Sequence, residues 1–503
     1  MIRKDLVLSV FGIASCIPTA FSNPADIIKN PNIIFILADD LGYGDVSALN
    51  ENSKIQTTNI DRLAAQGAVF TDAHSGSAVC TPTRYGILTG RYNWRSTLKK
   101  GVLGGYSSPL IPQTRKTIAS MLKDGHYNTA CIGKWHLGWD WDNIEKGNDS
   151  VRFDKPIKNG PTTLGFDYFY GIAGSLDMPP YVYVENDRPT ALPNRLTGSE
   201  GMAFWRKGPT ASDFDHEQTL PNLVGRAEKY ITEKSKEKDP FFLYLALTAP
   251  HTPILPSKEF QGKSGLNDYG DFVLMVDVMI GKVMAAIDKA GIGNNTILVF
   301  TSDNGCSPMA NFEELKLKGH NPSYIYRGTK ADLFDGGHRI PCVVRWPEKV
   351  KPHQVTQTIC LTDFMATFAT LTNYPLKDNE GEDSFSLLPL LLDKNPEKYS
   401  REATVHHSIN GNFTIRKGDW KLLLSAGSGG WSYPKPGKDD KVIATLPPYQ
   451  LYNMKTDPSE TKNLCDKFPE IVNELKVLLL KYIKDGRSTP GKTQKNDGEE
   501  ISL

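Results

Sequence analysis

The segment from Cys80 to Arg91 places a cysteine among residues that could take part in its chemistry. It reads Cys-Thr-Pro-Thr-Arg-Tyr-Gly-Ile-Leu-Thr-Gly-Arg, so a proline follows the cysteine by two residues and an arginine by four. Arg84 comes one helical turn after Cys80, and we expect the two side chains on the same face of a helix. An isolated cysteine is most often a small buried apolar residue. The surrounding pattern instead indicates a residue with a chemical role.

This segment resembles the maturation signature of type I sulfatases, and the resemblance covers nearly the whole chain. In that family the cysteine is oxidised to formylglycine, so the resemblance implies that a formylglycine-generating maturase modifies Cys80. Sulfate esters are poor electrophiles and need a strong oxygen nucleophile. One hydroxyl of the hydrated aldehyde attacks sulfur, and the collapse of the other expels sulfate. Many family members carry serine where this chain has Thr83, and the hydroxyl is retained.

Two acidic segments resemble the metal-binding stretches of the same family. By this resemblance the residues that ligate a divalent cation are Asp39, Asp40, Cys80, Asp303 and Asn304. Three carboxylates and an amide oxygen favour a hard cation; Ca²⁺ is the usual metal of the family and Mg²⁺ is the second choice. The Asp-Asp pair directly follows an apolar run, where two buried carboxylates without a cation would be costly. Asp45 could ligate as well or simply form a turn.

Five further residues resemble those that bind and process the sulfate group: Arg84, Lys134, His136, His251 and Lys330. Lys134 and His136 are two apart at the end of a predicted strand, so both side chains can point to the same side. The resemblance implies that Arg84 stabilises the nucleophile, that the lysines hold sulfate, and that His136 accepts a proton when sulfate is eliminated. Either His251 or Lys330 could protonate the leaving alcohol.

The elements that must position these residues are four apolar runs, each followed at once by one of the polar clusters. The runs cover residues 32–38, 127–132, 241–247 and 296–300. Runs without alternation predict strands that are covered on both faces, as in a parallel sheet. Helical patterns at 58–67, 117–124 and 271–289 lie between them. An α/β sheet carries its site at the carboxyl ends of its strands, so the clusters predict one active site.

The domain organisation follows from these patterns and from the resemblance. We expect a signal peptide at 1–22, an alkaline-phosphatase-like catalytic domain at 30–375 with a mostly parallel sheet flanked by helices, a smaller C-terminal α+β subdomain at 376–485, and a polar, frayed tail at 486–503. The subdomain should contain a hairpin at 412–424, a strand at 449–453 and an amphipathic helix at 469–484. We expect His406 and His407 on a strand surface, and His338 in support of a turn.

Composition and the N-terminus bound the partners of the protein. With 58 Lys and Arg against 57 Asp and Glu, the net charge of +1 argues against nucleic-acid binding. A basic start and an apolar stretch too short to span a membrane predict export, to the periplasm or the cell surface of a bacterium. Residues 13–16 resemble a lipobox, so Cys16 is either a lipidated N-terminus or part of a removed signal. The cysteines show no disulfide framework and no metal-ligand spacing.

The substrate is predicted from two polar, aromatic, loop-like segments at 176–183 and 213–217. With the Cys-Thr-Pro-Thr-Arg variant, the segment 175–180 looks like that of bacterial carbohydrate sulfatases acting on galactose or N-acetylgalactosamine. We expect Asp177 and His216 to bind an axial sugar hydroxyl; the alternative is a loop cap and a surface residue. A 6-sulfate is favoured over a 4-sulfate, because a primary ester leaves the ring free to be gripped.

Two other functions remain open from the sequence. A phosphonate or phosphate ester hydrolase of the same fold could share the nucleophile, but phosphatases of this fold usually bind two zinc ions through additional histidines and aspartates. A non-catalytic binding protein would be expected to have lost one of Cys80, Arg84, Lys134 or His251, and all four are present. Sulfate ester hydrolysis is therefore the leading prediction.

Overall fold

A ten-stranded sheet and a four-stranded sheet organise the chain. The structure is a computed structural model, and it describes residues 30–143, 150–394 and 396–501. The strands are β1 (Asn32–Asp39), β2 (Ala68–Phe70), β3 (Ala73–His74), β4 (Asn128–Lys134), β5 (Tyr168–Ile172), β6 (Val184–Glu185), β7 (Arg188–Pro189), β8 (Pro193–Ser199), β9 (Trp205–Ala211), β10 (Phe241–Pro250), β11 (Thr296–Ser302), β12 (Cys342–Arg345), β13 (His353–Val355), β14 (Ile359–Cys360), β15 (Thr404–His407), β16 (Phe413–Lys417), β17 (Trp420–Leu423) and β18 (Gln450–Asn453). The α-helices are α1 (Thr58–Ala64), α2 (Cys80–Thr89), α3 (Ile118–Asp124), α4 (Thr219–Lys234), α5 (Asp268–Lys289), α6 (Phe312–Leu317), α7 (Asp335–His338), α8 (Phe364–Leu371), α9 (Leu388–Leu391), α10 (Asp440–Ile443) and α11 (Pro469–Asp485).

β1 lies in the middle of the large sheet, between β10 and β11, and is parallel to both. The parallel part continues through β4 and β5, whereas β12 on the other side is antiparallel to β11. The strand order is β13-β2-β12-β11-β1-β10-β4-β5-β6-β7. The four predicted strands are β1, β4, β10 and β11, so the predicted mostly parallel α/β sheet is confirmed.

Both faces of this sheet are covered, which explains the uninterrupted apolar runs. Every residue of β10 is buried, and only Asn32 of β1 is partly exposed. α5 turns Val273, Val276, Ile280 and Val283 into the core, as its sequence pattern predicts. Full burial of one such aliphatic side chain contributes roughly 1.5–3 kcal/mol. The apolar strands are therefore stabilised mainly by packing, and this leaves their polar ends free for a site.

The smaller sheet is antiparallel, with the order β15-β16-β17-β18, and α11 packs against β16 and β17. The predicted hairpin, strand and helix are all present. Tyr92 and Trp94 from the first half of the chain share the core of this sheet. The core of the large sheet extends beyond residue 375, to Leu387, Leu390 and Leu391.

The prediction that His406 and His407 form a surface pair is wrong, because residues 74–78 run along the edge of β15. Both histidines are buried. His406 Nδ1 contacts Ser75 O at 2.7 Å, and His407 Nδ1 contacts Ser77 Oγ at 2.8 Å. His338 ends the short helix α7 and is likewise buried.

The prediction of a frayed C-terminal tail is also wrong over residues 486–501. Asp497 Oδ2 accepts from Arg91 Nη1 at 2.8 Å, and Asn496 Oδ1 accepts from Arg95 Nη1 at 3.1 Å. Both arginines are fully buried, so the polar tail supplies hydrogen-bond acceptors that they require.

The predicted signal peptide, with Cys16, lies outside the described residues. Within residues 30–143, 150–394 and 396–501, no helix combines the length and the hydropathy needed to cross a bilayer. The six cysteines of this part of the chain are free thiols, and all except Cys465 are buried.

Candidate active site

The carboxyl ends of β1 and β11 bring two acidic segments together at one edge of the sheet. β1 ends at Asp39, and Asp40 follows with a backbone φ of 65°, which turns the chain sharply. Asp303 and Asn304 directly follow β11. The Asp40 N–H donates to Asp303 Oδ1 at 3.1 Å, and Asn304 Nδ2 donates to Asp40 Oδ1 at 2.7 Å. The two segments are therefore joined directly by hydrogen bonds.

Two oxygen atoms of this cluster, Asp39 Oδ1 and Asn304 Oδ1, are buried without a hydrogen-bond partner. Asn304 donates from Nδ2 to Gly305 O and to Asp40, which leaves its amide oxygen as the unpaired acceptor. Buried acceptors are normally paired, and an exception calls for an explanation such as an ion. Asp303 adds a third carboxylate, and such oxygen donors suit a hard divalent cation. The predicted ligands therefore fit a divalent cation.

Arg84 and Lys134 compensate the negative charge of this cluster. Arg84 Nη2 donates to Asp303 Oδ2 at 2.7 Å and lies 3.5 Å from Asp39 Oδ1. Lys134 Nζ donates to Asp39 Oδ2 at 2.7 Å and to Ser175 Oγ at 3.1 Å. Burial acts to raise the pKa of Asp39, but Lys134 and the other nearby cations hold this pKa well below its usual range. Burial, together with the charge of Asp39, raises the pKa of Asp303 to about 7.

Lys330 and His251 approach the same cluster from the side of Asp40. Lys330 Nζ lies 2.7 Å from Asp40 Oδ1, and His251 Nε2 lies 3.7 Å from Asp40 Oδ2. The ring of His251 is also 3.3 Å from Ser175 Oγ, which in turn contacts Lys134. Four of the predicted side chains, those of Arg84, Lys134, His251 and Lys330, therefore meet around the acidic cluster.

Cys80 is the first residue of α2, with its side chain only 2% exposed. Pro82 stands in the first helical turn, where a missing N–H is tolerated, and Gly90 ends the helix in the left-handed region. The hydroxyl of Thr83 donates to Ser77 O at 3.0 Å. Burial raises the pKa of the Cys80 thiol, against the opposing effect of nearby lysines. The unmodified side chain is therefore a neutral thiol, which is a weak nucleophile.

His136 is held so that one ring nitrogen is free to accept a proton. Its Nε2 is 2.6 Å from Leu103 O, and because a carbonyl only accepts hydrogen bonds, Nε2 carries the proton. Its Nδ1 is buried and has no partner. Burial lowers the pKa of His136 well below its usual value, and the charges of Lys134 and Arg84 lower it further. The ring is therefore neutral, and Nδ1 is its unprotonated nitrogen.

A cavity of about 530 Å³ leads from the surface to this centre. Its lining includes four of the predicted site residues, which are Cys80, Asp177, His251 and Lys330. Asp177 Oδ2 pairs with Arg206, whereas Asp177 Oδ1 is buried without a partner. Burial acts to raise the pKa of Asp177, but His251 and Arg206 hold it below its usual value. Asp177 thus places an anionic group in the lining of the same cavity as Cys80.

The structure does not bring His216 into this cavity. Its ring stacks on Trp205 at a centroid distance of 4.1 Å and lines a neighbouring cavity. Burial lowers the pKa of His216 to about 4. Tyr181 connects the two regions, because it contacts the His216 ring and donates from its hydroxyl to Asp177 O at 3.1 Å.

The sequence gives no indication of Arg206 and only a weak one of Ser175. Ser175 joins Lys134 to His251, and it lies in the segment 175–180 that the resemblance singles out. Arg206 belongs to β9, in an insertion remote from every motif, and only the fold brings it to Asp177.

Asp45 has a structural position, because both of its carboxylate oxygens are used within the protein. Oδ2 accepts from the Gly42 N–H at 2.8 Å and from the Tyr269 hydroxyl, and His320 Nε2 contacts Oδ1 at 2.8 Å. The turn is therefore the role that the structure supports for this residue.

A second group of potential metal ligands consists of His74, His338 and His406, all of them buried. Each ring nitrogen of the three already has a hydrogen-bond partner in the protein. The rings of His338 and His406 are stacked at a centroid distance of 4.1 Å. This group packs β3 and α7 against β15 and does not have the free donor atoms of a metal site.

Comparisons with known proteins show to which family the chain is similar. The sulfatase family model matches residues 31–374. An N-acetylgalactosamine-6-O-sulfatase from Bacteroides thetaiotaomicron is 36% identical over 492 residues, which cover 90% of this chain and 93% of that protein. Human arylsulfatase A is 31% identical over 498 residues, which cover 95% and 92%.

A solved structure from Bacteroides thetaiotaomicron, described with the metabolism of multiple glycosaminoglycans, superimposes with a TM-score of 0.79. Its sequence is 34% identical, and the match covers 90% of this chain and 99% of that chain. The likeness therefore extends over nine-tenths of the chain.

Proposed function

The chain belongs to the sulfatase family, and on this basis we propose that it removes the 6-sulfate group from galactose or N-acetylgalactosamine units of a glycan. As a member of this family it is a sulfuric ester hydrolase. The sugar and the position of the sulfate are our proposal. They are supported by the similarity to the Bacteroides N-acetylgalactosamine-6-O-sulfatase and to a rat N-acetylgalactosamine-6-sulfatase that is 28% identical.

The observation that carries the proposed reaction is that Cys80 lines the cavity. Lys330 and His251 line the same cavity, and the acidic cluster lies behind it. A cation-rich pocket with one buried modifiable residue suits a small anion that carries a bulky alcohol. The phosphate or phosphonate ester alternative is not favoured, because the family and its named relatives are sulfatases.

We further propose that Cys80 is oxidised to formylglycine by a maturase and that Ca²⁺ binds to Asp39, Asp40, Asp303 and Asn304 together with the modified residue. The hydrated aldehyde supplies the oxygen nucleophile, and the cation withdraws charge from the sulfate oxygens. The buried, unpaired oxygens of Asp39 and Asn304 are the observation that supports the proposed cation.

The remaining residues of the site have two roles: some stabilise negative charge, and others transfer protons. Arg84, Lys134 and Lys330 offset the negative charge of the sulfate group and of the transition state. His136 accepts a proton at Nδ1, since its Nε2–H is committed to Leu103 O. His251 or Lys330 donates a proton to the departing alcohol oxygen.

We propose that Asp177 determines which sugar is bound. Asp177 lines the cavity, and its Oδ1 has no hydrogen-bond partner in the protein, so this carboxylate has an acceptor to offer to an axial hydroxyl of the bound sugar. An equatorial epimer would leave this buried acceptor unpaired, which disfavours its binding. His216 contacts Tyr181 and Trp205, so we assign it the support of this wall.

Export is proposed from the N-terminal sequence, with delivery to the periplasm or the cell surface. Residues 1–22 would be removed as a signal peptide, and a lipid on Cys16 is the alternative that would tie the protein to a membrane. Mass analysis of the mature N-terminus distinguishes the two.

The test is a comparison of sulfate release from 6-sulfated galactose, N-acetylgalactosamine and N-acetylglucosamine, and from 4-sulfated N-acetylgalactosamine. The 6-phosphate ester of N-acetylgalactosamine tests for phosphate ester hydrolysis, the alternative function. We expect the two galacto-configured 6-sulfates to give the highest kcat/KM. Asp177→Ala should lower kcat/KM for them about 10- to 100-fold and reduce their advantage over the glucosamine compound.

His216→Ala is the matched control for Asp177→Ala, and it should keep the galacto-to-gluco ratio of the wild type. If the glucosamine compound is the best substrate, the proposed sugar is wrong. If no sulfate ester is hydrolysed by protein with fully modified Cys80, the proposed reaction is wrong.

A further inference from the structure

A second cavity, of about 470 Å³, adjoins the cavity that contains Cys80. It is lined by the loop 102–107, by Met178 and Pro179, and by Arg206. Val102, Met178 and Arg206 also line the active-site cavity, so the two cavities are neighbours that share three residues. The second cavity therefore lies where the unit attached to a sulfated sugar could be bound.

The loop that forms the wall of this second cavity is fixed by catalytic residues. The Leu103 N–H donates to Thr81 Oγ1 at 3.2 Å, next to Cys80 in α2, and Leu103 O accepts from His136 Nε2. A Cβ atom added at Gly105 would lie 2.2 Å from Pro179 O, which shows how closely the loop approaches the opposite wall. The cavity is therefore preformed, which reduces the entropic cost of binding.

Arg206 is the one charged residue among those that line the second cavity. Its side chain is 52% exposed, and of its guanidinium nitrogens only Nη1 contacts Asp177. The other lining residues are apolar, aromatic or small, with Tyr106 and Ser107 as the polar members. A mainly apolar wall with a single cation suits a ring that carries one negative charge.

We propose that the second cavity binds the sugar next to the sulfated unit and that Arg206 recognises an acidic group, a carboxylate or a sulfate, on that sugar. This inference rests on the proposed function, because it assigns the neighbouring unit of the same glycan. Arg206 then has two contacts. Nη1 holds Asp177 toward the sulfated sugar, and the exposed part of the guanidinium pairs with the acidic neighbour.

The test compares a 6-sulfated monosaccharide with three disaccharides that contain it. In these the neighbouring sugar carries a carboxylate, a sulfate, or a primary alcohol in place of the carboxylate. At low ionic strength we expect an acidic neighbour to raise kcat/KM about fivefold over the neutral disaccharide, the range of a half-exposed ion pair. High salt should reduce this advantage. An advantage for only one acidic disaccharide identifies which acid is recognised.

Two variants separate recognition of the neighbour from support of Asp177. Arg206→Gln should lower kcat/KM for all four substrates, because Asp177 loses its ion-pair partner. The same variant should also remove the advantage of the acidic disaccharides. Arg206→Lys keeps the charge and should retain part of that advantage. Lys435→Ala is the matched control, because Lys435 lines the active-site cavity and does not line the second cavity. This variant should change kcat/KM for all four substrates by the same factor.

Two results would overturn the inference while the proposed function stands. One is a wild-type enzyme that hydrolyses the monosaccharide and treats the acidic and neutral disaccharides alike. The other is an Arg206→Gln variant that keeps the wild-type preference for the acidic disaccharides. Absence of sulfate release from every substrate, the monosaccharide included, would instead count against the proposed function.

Discussion

At the scale of single residues, the site pairs each acidic side chain with a cation. Lys134 faces Asp39 and Lys330 faces Asp40, each at 2.7 Å. Arg84 makes the third such pair, with Asp303, also at 2.7 Å. Removal of one partner from a buried pair is strongly destabilising, because it leaves an uncompensated charge. Substitutions in this cluster will therefore affect both binding and stability.

Cys80→Ala should abolish turnover and leave the fold intact. The side chain is small and buried, so its loss costs little packing, whereas no other residue can supply the aldehyde oxygen. Sulfate ester hydrolysis measures the first effect, and circular dichroism with thermal unfolding measures the second. Retention of a tenth of the wild-type rate would contradict the assignment of the nucleophile. Mass analysis should detect modified Cys80 in protein from a host that has the maturase.

Asp39→Ala and Asp303→Ala should each remove the bound cation and lower the melting temperature. Asp303→Ala also leaves Arg84 buried without its 2.7 Å partner, at a cost of about 3–5 kcal/mol. Metal analysis of the purified variants is the direct measurement. Asp45→Asn is the matched control and should retain the metal, because its oxygens bond Gly42, Tyr269 and His320. Full metal occupancy in both alanine variants would show that the site is misplaced.

At the scale of elements, the sequence predicts the parts of the site that parallel strands control. The apolar runs identify β1, β4, β10 and β11, and their shared direction brings the residues after them to one edge. Insertions obey no such rule. The distances of Asp177 and His216 from Cys80 depend on the path of long loops, so the sequence could not tell that only Asp177 lines the cavity. The burial of His406 could not be predicted for the same reason, because the segment that contains Ser75 and contacts His406 is remote in sequence.

Gly133→Ala should destabilise the strand that presents Lys134 and His136. Gly133 has a φ of 120°, and an added Cβ would lie 1.8 Å from Ala246 O in β10. We expect a loss of more than about 3 kcal/mol in the free energy of unfolding, measured by chemical denaturation. The control is Gly225→Ala in α4, where the Cβ meets no atom within 4 Å. That change should stabilise the helix by about 0.5–1 kcal/mol, and equal midpoints for the two variants would refute the argument.

His407 in β15 should make the protein sensitive to acid. Burial lowers the pKa of this histidine to about 4, below its usual 6.5. The folded state therefore binds the proton less readily than the unfolded state, and the stabilisation present above pH 6.5 is lost as the pH falls toward 4. Between pH 7.5 and 5.5, the wild type should lose about 1.4 kcal/mol more stability than His407→Asn. Parallel pH profiles would contradict this.

At the scale of the whole molecule, the end of the chain returns to the segment that follows α2. Arg91 contacts Asp497 and also Lys495 O, at 2.8 and 2.9 Å, and Arg95 contacts Asn496. Arg91 closes the sequence motif that begins at Cys80, so the tail supports the segment that follows α2. The motif arginine therefore has a structural role in this protein.

Removal of residues 494–503 should lower the free energy of unfolding by about 2 kcal/mol, because two buried arginines lose hydrogen-bond acceptors. Thermal unfolding measures the effect. Lys492→Ala is the control, since its side chain is 87% exposed, and it should not change the melting temperature. A truncated protein as stable as the full chain would mean that water replaces these acceptors.

The central position of β1 has a consequence for the synthesis of the protein. β1 is complete at Asp39, but its neighbours β10 and β11 begin only at Phe241 and Thr296. At roughly 5–20 residues per second, the ribosome needs about 10–40 s to reach the first of them. During that interval an apolar strand with two unpaired edges is a template for association between chains. The rate of translation thus sets how long each new molecule is exposed to aggregation before its catalytic edge can form.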